Sequence, residues 1–240
     1  MGMPIIVDVR DKDVDVPSVD AVFAWFRLVD EVFSTYKPAS EISRLNRGEI
    51  TVHEAGKDMR DVLQRCEELR VETDGYFDVR AASRDLVDPS GFVKGWSVDR
   101  AVSLLAEAGA RNYSINAGGD VAVRGGALPQ GSWRIGIQHP RRRDRIARVL
   151  ESGHLAVATS GSYERGAHVV DPQTGLAPTG VLSVTVAGPE LGVADAYATA
   201  AYARGPQAPQ WTRELPARGY EALTIMADER VLVTPGFPAG

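Results

Sequence analysis

The spacing of apolar residues changes character near residue 113, and that change limits the chain to folds that set helices against an antiparallel sheet. Before it, apolar positions recur at intervals of three and four. Val19, Val22, Phe23, Phe26, Val29, Phe33 and Tyr36 share one face of a helix that Ser18 is expected to cap and that stops near Pro38. A second amphipathic helix is expected over 57–73, ending at Asp74-Gly75, and a third over 97–109 carrying Val98, Ala101, Val102, Leu105 and Ala108. Beyond 113 the segments 113–116, 121–124, 133–138, 146–150, 155–159 and 181–186 are short, rich in β-formers and separated by glycine turns. A helix over 193–203 and a hairpin of 222–227 with 230–234 follow. Helices early and antiparallel strands late predict an α+β fold, one compact unit over residues 1–240.

Composition removes several classes of function. With 240 residues, a formal charge of −5 and 25% charged residues, the chain has room for a substantial core and lacks the cationic excess of a general nucleic-acid binder. One basic cluster, Arg141, Arg142, Arg143, Arg145 and Arg148, follows Pro140 and reads as a solvated loop. The single cysteine, Cys66, allows no internal disulfide and falls among Met59, Val62, Leu63 and Leu69 at helical spacing, a core position. No stretch approaches the roughly 20 apolar residues of a spanning helix, and the first residues carry neither a basic n-region nor a lipobox-like cysteine. The expected location is therefore the cytoplasm, without membrane insertion.

The polar residues fall into short motifs. Asp195 and Thr199 lie one helical turn apart, a hard-oxygen pair suited to Mg²⁺, although the spacing alone favours a helix whose first-turn carboxylate and back-bonded threonine are structural. In Asn116-Ala117-Gly118-Gly119-Asp120, two glycines after a strand can bring backbone N–H groups close to an anion, with Asp120 on a ribose hydroxyl or a metal water. A Gly-Gly hairpin turn has the same pattern. Thr159, Ser160 and Gly161 offer hydroxyls and an amide for a phosphate, or a capped turn. His168 titrates near neutrality and can take a proton from a hydroxyl nucleophile, or act as a structural hydrogen-bonder. Lys94-Gly95 opens towards a helix without the spacing of a Walker loop.

Taken in order, these motifs resemble the ApbE family of flavin transferases, the FAD:protein FMN transferases. The resemblance rests on Ser34-Thr35-Tyr36-Lys37-Pro38 leading into Ser40-Glu41-Ile42-Ser43-Arg44-Leu45-Asn46, and on Asp74-Gly75-Tyr76-Phe77-Asp78. It continues through Asp88-Pro89-Ser90-Gly91-Phe92-Val93-Lys94-Gly95, the Asn116 to Asp120 motif and Thr159-Ser160-Gly161. His168-x-x-Asp171-Pro172-x-Thr174-Gly175 and Asp195-Ala196-x-x-Thr199 complete it. It implies a T-fold-related α+β domain with a deep FAD cleft, in which FAD is cleaved between its phosphates. FMN passes to a threonine or serine hydroxyl of a partner flavoprotein, and AMP is released. By motif position Gly91 (through its carbonyl), Asp195 and Thr199 would hold Mg²⁺. Met1, Tyr36, Ser40, Asn46, Tyr76, Phe77, Asp78, Asp88, Lys94, Gly118, Gly119, Asp120, Thr159, Ser160 and Gly161 would bind FAD, with His168 as catalytic base. The chain departs from the family pattern at Ser90-Gly91-Phe92-Val93, where Gly-Ala-Ile-Ala is usual, and at Met3, where threonine is usual. The same residues would serve an FAD pyrophosphatase with water as nucleophile, and the glycine loops and tyrosines alone would serve a non-catalytic FAD carrier.

Overall fold

Asp15, rather than Ser18, caps the first helix. Its Oδ1 accepts the Ser18 amide at 3.0 Å, so α1 (Val16–Phe33) starts earlier than expected, with Pro17 in a first turn that needs no proline N–H. The structure is a computed structural model and describes residues 2–238 apart from Ala82, Arg84, Gln130 and residues 162–168. Strand β1 (Ile5–Val9) precedes α1, and a short α2 (Glu41–Asn46) and α3 (Lys57–Glu72) follow it. On α3, Met59, Val62, Cys66 and Leu69 are buried, as their spacing requires, and burial pushes the Cys66 thiol up to about 12.

The next helix, α4 (Ser90–Glu107), begins well before the expected position 97. Gly91 and Gly95 lower helix propensity and hide the first two turns from a reading of the sequence. Their presence has a packing reason. A Cβ on Gly95 would fall within 2.6 Å of Gly192 Cα, because α4 crosses α5 (Leu191–Ala203) backbone against backbone. A Cβ on Gly192 would in turn meet Trp96 N at 3.0 Å. Helix α5 is alanine-rich and buried on nearly every side, as expected of a helix central to a core.

Strands β2 (Tyr113–Ala117), β3 (Asp120–Arg124), β6 (His154–Gly161), β7 (Val181–Gly188), β8 (Glu221–Met226) and β9 (Val231–Val233) join β1 in one antiparallel sheet of order β1-β2-β3-β6-β7-β8-β9. Its helix-facing side, with Ile115, Ala122, Ala156, Ala158, Val184 and Val186, packs against α1, α3, α4 and α5. The other side buries Val123, Val157, Leu223 and Ile225 under a separate hairpin of β4 (Trp133–His139) and β5 (Arg142–Ser152), through Trp133, Ile135, Ile137 and Leu150. The basic cluster is thus mostly strand, not loop. Residues 142–145, ahead of the expected strand 146–150, are exposed on both faces, so no alternation of apolar residues announces the start of β5. Between α5 and β8 the chain forms 3-10 turns, Gly205–Gln207 and Thr212–Arg218, around a short α6 (Ala208–Trp211).

Candidate active site

Two helices and two strands bring the expected cleft residues together. Lys94 leaves α4 and points its Nζ to within 2.5 Å of Asp120 Oδ2 at the start of β3, and 3.6 Å from Asp195 Oδ1 on α5. Asp120 is fully buried, and its other oxygen accepts the Thr159 amide at 3.0 Å. One turn along α5, Thr199 Oγ1 lies 3.2 Å from Ser160 Oγ of β6. Gly91 faces the same threonine: a Cβ there would stand 3.6 Å from Thr199 Oγ1 and 3.4 Å from the Phe77 ring. Lys94, Asp195, Thr199, Gly91 and Ser160 all line a single open cleft, together with Tyr76, Phe77, Asp78, Asp88 and Thr159. An adjoining hollow shares Asp88, Ser90 and Lys94 with it, and reaches Met3 and Tyr36. Tyr36 is 95% exposed there.

The loop after α3 presents the aromatic side of the cleft. Thr73 Oγ1 accepts the Phe77 amide at 3.0 Å and donates to Leu69 O, which holds the turn through Asp74 (φ 53) and Gly75 (φ 80). Behind Tyr76, the Arg204 guanidinium lies 4.0 Å from the ring centroid and 4.9 Å from that of Trp211, a cation held between two aromatic faces. Its Nη2 donates to Thr73 O and Asp74 Oδ2, both at 2.8 Å.

Other expected FAD residues make structural hydrogen bonds or lie outside the cleft lining. Ser40 caps α2, accepting the Ser43 amide and donating to Ser34 O. Asn46 exchanges two hydrogen bonds with the backbone of Val87, at 2.8 and 2.9 Å, and so fixes the position of the neighbouring Asp88. Gly118 and Gly119, both at positive φ, form the two-residue turn between β2 and β3. Their amides are already engaged, Gly118 with Pro4 O and Gly119 with Asn116 Oδ1, and neither glycine lines the cleft. Gly161 ends β6, buried beside Ser160 and outside the cleft lining. Met1 and His168 lie outside the described residues, although Val169 and Val170, directly after His168, line the cleft.

Sequence reasoning did not find Arg204, or Asp99 on α4. The Asp99 carboxylate accepts the Leu191 and Gly192 amides, each at 2.8 Å, and so caps α5 from another helix. Both residues act across more than 90 positions of sequence, a separation at which no local motif signals a partner.

Among the described residues, no group of three or more His, Cys, Asp or Glu is arranged to hold a metal. A cation at the Asp195 end of the cleft would therefore depend on hydroxyl and carbonyl oxygens and on oxygens of its ligand. That is the chemistry of Mg²⁺ rather than of a softer metal, and the donors present fit it. Nor is any helix among the described residues long and apolar enough to cross a membrane.

The model of the ApbE family matches residues 1–84 and 80–224. The chain belongs to the ApbE family. Among curated members, an FAD:protein FMN transferase of Vibrio cholerae is 36% identical over 123 residues, 47% of this chain and 37% of that protein. One from Rhodobacter capsulatus is 33% identical over 175 residues, 64% of this chain and 32% of that protein. The matches thus span only about a third of these relatives' own length. In three dimensions the ApbE fold extends over nearly the whole chain. The flavin transferase ApbE from Vibrio cholerae superposes with a TM-score of 0.85 over 99% of this chain and 95% of that one, at 23% identity. The ApbE protein of Thermotoga maritima gives 0.84 over 98% of each chain, at 21% identity.

Proposed function

We propose that this ApbE protein is an Mg²⁺-dependent FAD:protein FMN transferase. The observation that carries the reading is the meeting of Lys94, Asp195, Thr199, Gly91 and Ser160 at one end of a cleft whose other wall is aromatic. The polar end suits a diphosphate and the Tyr76–Phe77 wall suits a planar ring system. The names carried by the curated relatives point to the same substrate.

Asp195, Thr199 and the Gly91 carbonyl would hold the metal, with diphosphate oxygens completing its shell. When bound, Mg²⁺ would neutralise the charge that builds on those oxygens. Lys94 adds a fixed positive charge, and Asp120 holds its ammonium in place. Ser160 and Thr159 offer hydroxyls to the phosphates, while Tyr76, Phe77 and Tyr36 offer ring faces. The hydroxyl oxygen of an acceptor threonine or serine forms a bond to the FMN phosphorus, and the bond from that phosphorus to the bridging oxygen breaks. AMP leaves with the electron pair. The hydroxyl proton passes to His168, a role supported by the two cleft-lining valines that follow it.

Incubating the purified protein with FAD, Mg²⁺ and a flavoprotein carrying an acceptor threonine tests this. A fluorescent acceptor band with one AMP per flavin attached is expected, and both should vanish in Asp195→Ala. His168→Ala should lower turnover far more than FAD affinity. AMP and free FMN without a labelled band would replace the transferase by a pyrophosphatase, and intact FAD would remove both.

A further inference from the structure

The cleft's cation end is divided between α4, which brings Gly91 and Lys94, and α5, which brings Asp195 and Thr199. These two helices meet where Gly95 and Gly192 leave no room for side chains. Glycine contact sets their separation, buried side chains such as Phe92 and Leu191 pack around it, and Lys94 Nζ stands 3.6 Å from Asp195 Oδ1 inside the cleft. A further polar connection, made at the first turn of α5, pins its height and rotation. Both Asp99 oxygens are taken up, Oδ1 by the Leu191 amide and Oδ2 by the Gly192 amide, in a two-point grip on the first residues of α5. Asp99 lies one turn after Gly95 on α4, and Leu191–Gly192 lie one turn before Asp195 on α5. The cap of Leu191–Ala203 comes from no residue of its own: Glu190, at the N-cap position, makes no side-chain cap hydrogen bond.

We infer that Asp99 is a positioning residue for the metal-binding end of the cleft: its bidentate grip on the Leu191 and Gly192 amides fixes the height and rotation of α5 against α4, and so sets where Asp195 and Thr199 stand relative to Gly91 and Lys94. This inference rests on the proposed reading of the cleft as an Mg²⁺–FAD site. The reach of the effect follows from rigidity, because a helix passes a rotation at its first turn undiminished to its second. A lone N-cap on a helix end far from any site would stabilise the fold and nothing else. Here the gripped turn is directly followed by the ligand-bearing one.

Equilibrium dialysis of FAD over a series of Mg²⁺ concentrations, with melting temperature recorded for each variant, separates positioning from simple stabilisation. In Asp99→Ala the Mg²⁺ concentration giving half-maximal FAD retention should rise at least tenfold. In Asp99→Asn, whose amide oxygen can still accept one N–H, the rise should be smaller, and this variant carries the test if the alanine form does not fold. Leu105→Ala, a cavity in the far half of α4, should lower the melting temperature without moving the Mg²⁺ half-point. If Asp99→Asn and Asp99→Ala melt earlier yet keep the half-point of the parent protein, Asp99 is only structural and the inference falls. If FAD retention by the parent protein ignores Mg²⁺, or Asp195→Ala leaves its Mg²⁺ dependence intact, the metal reading itself falls and takes the inference with it.

Discussion

Lys94 Nζ rests 2.5 Å from an Asp120 carboxylate that is closed off from solvent, in a pairing that ties the first turns of α4 to the central sheet. The glycine turn that precedes Asp120 swings β3 back on β2 and delivers this carboxylate beneath the cleft. Asp120 therefore serves the Lys94 ammonium and the Thr159 amide from a buried position.

Asp120→Asn removes the charge that offsets Lys94 while nearly preserving shape. Breaking a buried pair from one side costs about 3–5 kcal/mol. The variant should melt clearly lower and bind FAD more weakly, with both effects present at saturating Mg²⁺. Calorimetry and equilibrium dialysis check this, and unchanged FAD affinity would return Asp120 to a purely structural role.

Arg204→Ala strips the cation from behind Tyr76 and from Trp211. A desolvated cation–π contact contributes roughly 2 kcal/mol. FAD affinity should fall severalfold because the Tyr76 ring loses its backing, while the Mg²⁺ half-point stays put. Arg204→Lys should recover little of the affinity, since an ammonium cannot lie flat between two rings.

Asp99 also gives a pH signature. Burial raises its pKa to about 6, with Glu190 adding to the rise and the Gly192 and Leu191 amides and Arg124 opposing it; Asp61 and Arg65 of α3 line the same hollow. A carboxyl with a raised folded value binds its proton more tightly in the native state than unfolded, where it titrates near 4. Its contribution is fully present below about pH 4 and is lost as the pH climbs through 6. Over that window the protein should lose up to roughly 3 kcal/mol of stability relative to Asp99→Asn. Urea melts of the two proteins at pH 4, 5, 6 and 7 give the difference directly. Parallel curves would show that Asp99 keeps an ordinary pKa.

Cys66, with its thiol pushed up to about 12 and almost no exposure, should resist Ellman's reagent at pH 8 in the native protein. It should react fully in guanidinium. Fast native reaction would mean that α3 opens far more readily than its packing suggests.

Much of the architecture could be read in advance, because α1 and α3 bury one face and repeat at the helical period, while the sheet strands are short β-rich runs between glycine turns. What escaped did so for identifiable reasons. The first turns of α4 contain glycines that a helix shuns unless another backbone lies against them, and that neighbour, Gly192, is 97 residues away in sequence. The start of strand β5, ahead of the expected 146–150, hides because residues 142–145 are exposed on both faces. In the cleft, Lys94, Asp195, Thr199 and the Tyr76–Phe77 wall were legible as polar or aromatic residues in patterns a core does not require. Ser40 and Asn46 looked equally functional, yet their hydrogen-bonding groups are spent on Ser34, Ser43 and Val87. Sequence displays a side chain's donors and acceptors; only the fold shows whether they are already in use.

The arginine-rich arm formed by β4 and β5 makes the molecule electrically lopsided. Residues 134–148 carry six arginines and one aspartate in a chain whose formal charge is −5, so everything else is more acidic than the total suggests. Such a body carries its densest positive charge on one hairpin. It will turn in the field of any charged surface it approaches, arm first towards an anionic one, over a range that physiological salt cuts to about 8 Å.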